Sequence, residues 1–292
     1  MSEIVINKCK PSLKEDWAVG YYQNANQAWE DLYYGLNKDG DIRSPRGLKV
    51  KETLGCNIYI LNPMDNLVYN TFRGVSPIYI SREYEWYKSG SRKVEDASKL
   101  SKFWETIANP DGTVNSNYGA YIFVKEPDGK SVWEKTVEIL RSDPDTRQAI
   151  IQIPIMPGRG SKDTPCTSHI HFQIRDRKLF ATTVMRSTDI ILGFPLDIFQ
   201  FTMWQIEMAK ELGLELGWHR FISDNLHVYE KNWIENINDE FAFYFATEYE
   251  ISDKTSDSFK NDIHQLALKG KNVERINDPI LKFMFDNRKI WK

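Results

Sequence analysis

Apolar residues recur at helical spacing between positions 24 and 38, where Trp29, Leu32 and Tyr33 share one side and Gly40 lies just beyond. Alternation replaces that period in Asn57-Ile58-Tyr59-Ile60-Leu61, which predicts a strand stopped by Asn62-Pro63. Ser76-Pro77 reads as an N-cap followed by proline at the first helical position, where its missing N–H costs nothing. That helix is expected to run through Tyr87 and end near Gly90. A second helix is expected over 98–108, before a turn at Pro110-Asp111-Gly112. The stretch 131–142 again has helical spacing, with Val132, Val137 and Leu140 inward and Asp143-Pro144 as its stop.

From there the period switches to two. Strands are expected over 147–155, 168–175 and 178–185, the last two joined in hairpin fashion by Asp176-Arg177. An apolar helix should span about 196 to 212 and stop at Gly213. A strand over 217–222 leads towards His227 and a further helix, and 243–250 reads as a last strand. Residues 1–20 carry little pattern and are expected to form an N-terminal arm. Residues 251–292 are charged and mixed, with a helix expected over 257–268 and no role assigned. The pattern shows no repeat and no linker. It predicts one α/β (α+β) domain over 1–292, a mixed sheet flanked by helices.

With 292 residues the chain can bury a full core, and 41% hydrophobic with 27% charged residues describes an ordinary globular protein. A net charge of −3 argues against coating a nucleic acid, so an anionic ligand would need a local arginine cluster. No run approaches eighteen apolar residues, which excludes an apolar membrane-spanning helix, and the first residues lack the pattern of a signal peptide. Cys9, Cys56 and Cys166 are odd in number and scattered, as expected in a reducing cytoplasm, and no CxxC pair points to a metal.

Cys166 follows Pro165 at the entrance to a strand, and Arg186 falls near the end of the next antiparallel segment. A neighbouring guanidinium would lower the thiol pKa and supply a nucleophilic thiolate. The competing reading is a small buried hydrophobe, which suits Cys9 and Cys56. His169 and His171 would point away from Cys166 on a regular strand, and without converging partners they read as structural. Gly158-Arg159-Gly160-Ser161-Lys162 lacks the spacing of a phosphate loop and reads as a surface loop. Ile42-Arg43-Ser44-Pro45-Arg46-Gly47 is a loop carrying two guanidiniums.

Several motifs, in order, resemble the thymidylate synthase family. They are Pro165-Cys166, Arg186-Ser187-Thr188-Asp189, Leu192-Gly193-Phe194-Pro195, Asp197 and His227-Val228-Tyr229. Asp143-Pro144-Asp145-Thr146-Arg147 resembles the segment that carries a phosphate arginine across the family's dimer interface. Upstream, Arg82-Glu83-Tyr84-Glu85-Trp86-Tyr87-Lys88-Ser89 and Asn115-Ser116-Asn117-Tyr118-Gly119 are closest to the deoxycytidylate hydroxymethylases within it. The likeness covers about 82–119 and 141–232.

The resemblance implies a homodimer across the sheet, a pyrimidine nucleoside monophosphate substrate and 5,10-methylenetetrahydrofolate as co-substrate. It also implies that Cys166 adds to C6 of the base, making C5 nucleophilic towards the one-carbon unit. Glu83, with Tyr118 ordering water, would manage proton transfers. The competing reading of Glu83, a solvated helix charge, fits Glu85 better. Arg147, Arg186 and Ser187 would hold the 5′-phosphate, with Arg46 rather than Arg43 as a third cation. His227 and Tyr229 would hold the sugar 3′-hydroxyl. Asp189 and Gly193 would meet the pterin, with Trp104 stacking near it.

Three positions depart from the synthases. Asp197 stands where they carry an asparagine, and its donor–acceptor set suits cytosine; as a plain helix-start acid it would be favoured by the helix dipole. Thr167 follows the nucleophile where synthases have histidine. Both favour addition of water over hydride, hence 5-hydroxymethyl-dCMP. Gln148 replaces a second arginine, and the carboxy-terminal region does not resemble the family's closing tail. A methylase of dUMP or dCMP, a hydroxymethylase of CMP or dUMP, and a non-catalytic nucleotide-binding relative all remain open.

Overall fold

The computed structural model describes residues 16–70, 72–155, 161–234 and 256–287. Helix α1 (Ala25–Asp39) starts where expected: the Asn24 side chain accepts from Gln27 N, satisfying one of the orphan amides of the first turn. Trp29, Leu32 and Tyr33 are buried on its inner side, and Trp29 Nε1 donates to Ile190 O at 2.7 Å. Helix α2 (Pro77–Ser89) is capped by Ser76 and stops at Gly90, whose φ of 63° lies in the left-handed region open to glycine.

The helix expected over 98–108 is instead two short ones, α3 (Val94–Ala97) and α4 (Phe103–Ile107). Serine hydroxyls divert the backbone between them: Ser98 Oγ donates to Glu95 O, and Ser101 Oγ accepts from Phe103 N. After the short α5 (Gly119–Ile122) comes α6 (Val132–Ser142), held by a Ser131–Glu134 capping box. Its inner side is made by Trp133, Thr136, Val137 and Leu140, whereas Val132 is only half-buried. Helix α7 (Phe194–Leu212) begins two residues earlier than expected and ends at Gly213 in the left-handed conformation.

The strands are β1 (Val19–Tyr22), β2 (Asp41–Arg43), β3 (Val50–Ile60), β4 (Ile150–Gln152), β5 (Thr167–Arg175), β6 (Lys178–Met185), β7 (Thr188–Asp189) and β8 (Glu215–Tyr229). They make one mixed sheet in the order β1-β3-β8-β6-β5-β4, with β2 on β3 and β7 on β8. Strands β3 and β8 are antiparallel, β6 and β8 parallel, β5 and β6 antiparallel. The β5–β6 hairpin turns through Asp176 and Arg177 at φ 50° and 61°, the primed geometry that matches the strand twist.

Several boundaries move. Residues 19–20 belong to β1, paired in parallel with β3, so that part of the expected arm is sheet. Strand β4 is shorter than 147–155. Strand β8 continues far past 222 because β3 and β7 pair with it there, although its buried positions shift by one residue between Ser223 and Leu226. It takes His227 and Tyr229 with it, and a 3-10 turn (Glu230–Asn232) follows instead of an α-helix. The strand expected over 243–250 and most of the 158–162 loop lie outside the described residues.

One face of the sheet, with Ile58, Ile170, Phe172, Ala181 and Phe221 buried, packs under α1 and α7. Each of the isoleucines and phenylalanines among them contributes about 1.5–3 kcal/mol when fully buried. The other face carries Tyr21 stacked on Tyr59, Tyr59 edge-on to Trp218, and Trp218 against Phe180. No helix of the described residues is long and apolar enough to cross a membrane.

The expected helix near 257–268 is α8 (Ser256–Lys269), followed by α9 (Pro279–Asn287), and it packs on α2. Glu207 of α7 joins these pieces: it accepts from Tyr84 and Lys88 of α2 and from Lys260 of α8. Its carboxylate is held below the ordinary range despite burial because two ammonium groups and a phenol surround it. Glu207→Ala strands a buried phenol and Lys88, so chemical denaturation should show a loss of about 2–3 kcal/mol.

Candidate active site

Cys166 stands just before β5. A bulge between Thr167 and His169 shifts the register there and breaks the alternation of a regular strand. Cys166 is half-buried, while Thr167, Ile170 and Phe172 turn into the core and His169 and His171 stay on the half-buried side. Arg186, just past β6, donates through Nε to Pro165 O at 2.9 Å and through Nη2 to Thr164 O at 2.8 Å. The same Nη2 lies 3.5 Å from Cys166 Sγ. The guanidinium pulls the thiol pKa down, but burial outweighs it, with Asp197 and Asp163 adding to burial, so the net displacement is upward. The expectation of a lowered pKa is therefore corrected: an exposed, solvent-screened guanidinium offsets only part of the desolvation. Arg46 also acts on this thiol, from an exposed turn where its own φ is 53°. Arg43 pairs with Asp41 instead.

Glu83 on α2 and Asp197 in the first turn of α7 face the same interior. Glu83 is 4% exposed, accepts from Tyr79 OH at 3.1 Å, and is pushed up to about 7 by burial. Tyr79, Gln200 and Arg73 pull the other way. Asp197, half-buried as a residue, is pushed well above the carboxylate range by burial of its carboxyl and then by Glu83. Its carboxyl sets the local value, because protein packs around those atoms. Glu85, by contrast, is half-exposed and meets His264 at 3.0 Å, so the solvated reading belongs to it.

Tyr118 is buried beside Cys166, Thr167 and Asp197, stacked on Tyr87 at 5.4 Å, and its phenol is driven far up by burial. Gly193 brings the loop close: a Cβ there would lie 3.0 Å from Asp189 O and 3.3 Å from Asp197 Oδ2. Asp189 Oδ1 accepts from Ile191 N and Leu192 N, at 2.8 and 3.2 Å, while Oδ2 is buried with no partner among the described residues. Trp104 is buried against Trp86 at 5.0 Å and lies beside the Tyr79 phenol, which its Nε1 approaches without closing a hydrogen bond of ordinary geometry.

His227 and Tyr229 alternate along β8, their rings edge-to-face at 5.2 Å. His227 Nδ1 is 3.0 Å from Asn225 Oδ1 and 3.4 Å from Ser187 Oγ; donating to the Asn225 oxygen requires the tautomer with hydrogen on Nδ1. Burial lowers the His227 pKa and keeps the ring neutral. Arg147 is exposed, with no contact to this cluster among the described residues. A cleft of about 520 Å³ lined by Arg141, Ile174, Arg177 and Leu214 lies at the far end of β5, nine residues away or about 30 Å.

Sequence reasoning missed Arg73, Tyr79 and Gln200. Arg73 donates to Ile191 O and faces Asp189 and Glu83. Tyr79 sits four residues before Glu83 on α2, and Gln200 interrupts an apolar helix three residues after Asp197. Those spacings were the available signal.

Because the folded Glu83 keeps its proton up to about 7 while the unfolded residue loses it near its ordinary value, the parent should lose stability across that window. Thermal melts of Glu83→Gln should gain on the parent steadily between about pH 5 and 8. A difference that shrinks with rising pH would contradict the buried-acid assignment.

The family model of thymidylate synthase matches residues 30–278. A deoxyuridylate hydroxymethyltransferase of Bacillus phage SP01 is 27% identical over 244 residues, 78% of this chain and 63% of that relative. The chain thus spans less than two thirds of that relative's length. The deoxycytidylate 5-hydroxymethyltransferase of Enterobacteria phage T4 is 33% identical over 196 residues, 64% of this chain and 74% of its own. A thymidylate synthase of Fusobacterium nucleatum is 29% identical over 217 residues, 70% of this chain and 78% of its own. With the model matched from the first helix to the start of the last, the chain belongs to the thymidylate synthase family.

Proposed function

We propose that this chain transfers a one-carbon unit from 5,10-methylenetetrahydrofolate to C5 of a pyrimidine nucleotide, and that the reaction is hydroxymethylation of dCMP. The observation that carries this reading is the buried acid Asp197 in the same niche as Cys166, Glu83 and Tyr118. A protonated Asp197 donates to N3 of cytosine and accepts from its N4 amino group; an ionised one pairs equally well with cytosine protonated at N3. Uracil pairs with the protonated acid alone, since an anion opposite O4 leaves two acceptors facing each other at a cost of about 1–3 kcal/mol. Cytosine is thus matched at every step of the proton's movement.

In this reading Cys166 bonds to C6, and Glu83, poised near neutrality, takes and returns protons around C5. Tyr118 orders the space between them. Arg186 and Ser187 hold the 5′-phosphate with Arg46 closing from its loop, and His227 and Tyr229 hold the 3′-hydroxyl. The folate supplies the reactive carbon. The orphaned Asp189 Oδ2, the unpaired Trp104 Nε1 and the close turn at Gly193 suit a flat ring bearing donors and acceptors. The aromatic outer face of the sheet supports a homodimer, and the exposure of Arg147 away from the cluster supports its use in a second subunit's site. A second reading, dUMP as substrate, is favoured by the name of the Bacillus phage SP01 relative.

Incubation with methylenetetrahydrofolate and dCMP, CMP or dUMP, followed by mass spectrometry, should give a gain of CH2O on dCMP; a gain of CH2 would mean a methylase. Asp197→Asn should move the dCMP/dUMP ratio of kcat/KM towards dUMP by roughly tenfold or more. An unchanged ratio removes the reason for choosing cytosine.

A further inference from the structure

Gln200 is a buried polar group at this site that the chemistry above leaves unused. It is 1% exposed, and neither Oε1 nor Nε2 has a hydrogen-bond partner among the described residues. A buried amide with both ends open costs free energy unless water fills the gap. Its direction follows from α7. Trp204 and Glu207, one and two turns further on, meet Tyr87 and the Tyr84–Lys88 pair of α2, so Gln200 faces α2 as well. Its amide lies within hydrogen-bonding influence of the Glu83 carboxyl and lowers that pKa, yet no bond of ordinary geometry closes between them. Asp197 is one turn back on the same helix.

We propose that Gln200 is a positioning residue which, with Glu83, holds the water molecule that adds to the one-carbon unit. This rests on the hydroxymethylation reading. The water oxygen bonds to the exocyclic methylene carbon of the Cys166-bound base. The exocyclic π pair moves into the ring to form C5=C6, and the C6–S pair returns to sulfur as thiolate. The water's proton passes to the Glu83 carboxylate. An amide suits the task because Oε1 accepts one water proton while the second is left for Glu83, and an amide does not compete for that proton.

The two halves of the reaction can be timed separately: tritium release from [5-³H]dCMP reports events before water adds, and hydroxymethyl-dCMP reports water addition. Gln200→Met keeps the length and removes the amide. It should lower the ratio of hydroxymethyl product to tritium released by about tenfold or more. The stalled methylene adduct should appear as added mass on Cys166 or as a product trapped by 2-mercaptoethanol. Gln200→Ser, with a hydroxyl and room for a second water, should restore part of the ratio. An unchanged ratio overturns the proposal, as does a crystal structure of the parent in which Gln200 bonds Glu83 directly with no water between them. That second measurement holds even where the variants do not fold. A parent that releases no tritium from dCMP, or yields a methyl product, instead defeats the hydroxymethylation reading and takes this inference with it.

Discussion

Two carboxyl groups buried in one niche between α2 and α7 constrain everything around them. Burial raises the affinity of both Glu83 and Asp197 for a proton, and Glu83 raises that of Asp197 further. Ionising both together in a low-dielectric interior is strongly unfavourable, so the pair retains a proton near neutrality. A site of this kind is destabilised by its own function and needs a rigid frame. Aromatic contacts supply it: Tyr84 on Phe199, Tyr87 on Trp204, and Tyr118 on Phe201. The Glu207 cluster at the other end of the same helix pair adds charge-assisted bonds that reach α8. The carboxy-terminal helices thereby support the wall that carries Glu83.

The sheet brings the remaining groups to that niche from the opposite side. The bulge after Thr167 lets Cys166 leave the strand's alternation, while the Arg186 side chain staples the Thr164–Pro165 backbone and reaches the sulfur. The parallel pairing of β7 with β8 sets Asp189 beside His227. Three segments distant in sequence therefore meet along one edge, each held by backbone hydrogen bonds rather than by side-chain contacts alone.

Elements with strong local signals were legible in the sequence: the Ser76 cap, the glycine stops at 90 and 213, and the Asp176-Arg177 turn. Elements set by tertiary pairing were not. Strand β8 runs through Ser223 and Asn225 because partners on both sides complete its ladder, which no local polarity pattern announces. Ser98 and Ser101 split a helix that periodicity alone would continue. At the site, motif residues could be named in advance, but Tyr79, Arg73 and Gln200 became visible only once α2 and α7 were packed together. The direction of the Cys166 pKa was likewise out of reach, since charge neighbours can be guessed from spacing and burial cannot.

That upward displacement has a chemical consequence. A thiol held neutral in the free protein reacts little with stray electrophiles, since the thiolate is the nucleophile. Arg186 spends Nε and Nη2 on the Pro165 and Thr164 carbonyls and the sulfur, and its exposed side remains open to an anion. An anion bound there would weaken the pull of Arg186 on the sulfur, so the phosphate alone cannot generate the thiolate. In the proposed reaction the proton would leave as the base settles against Asp197 and C6 begins to accept the sulfur's electron pair. Under the proposed reaction, nucleophile activation would be tied to recognition of the base edge, and one buried acid pair would govern both which ring is accepted and when the sulfur attacks it.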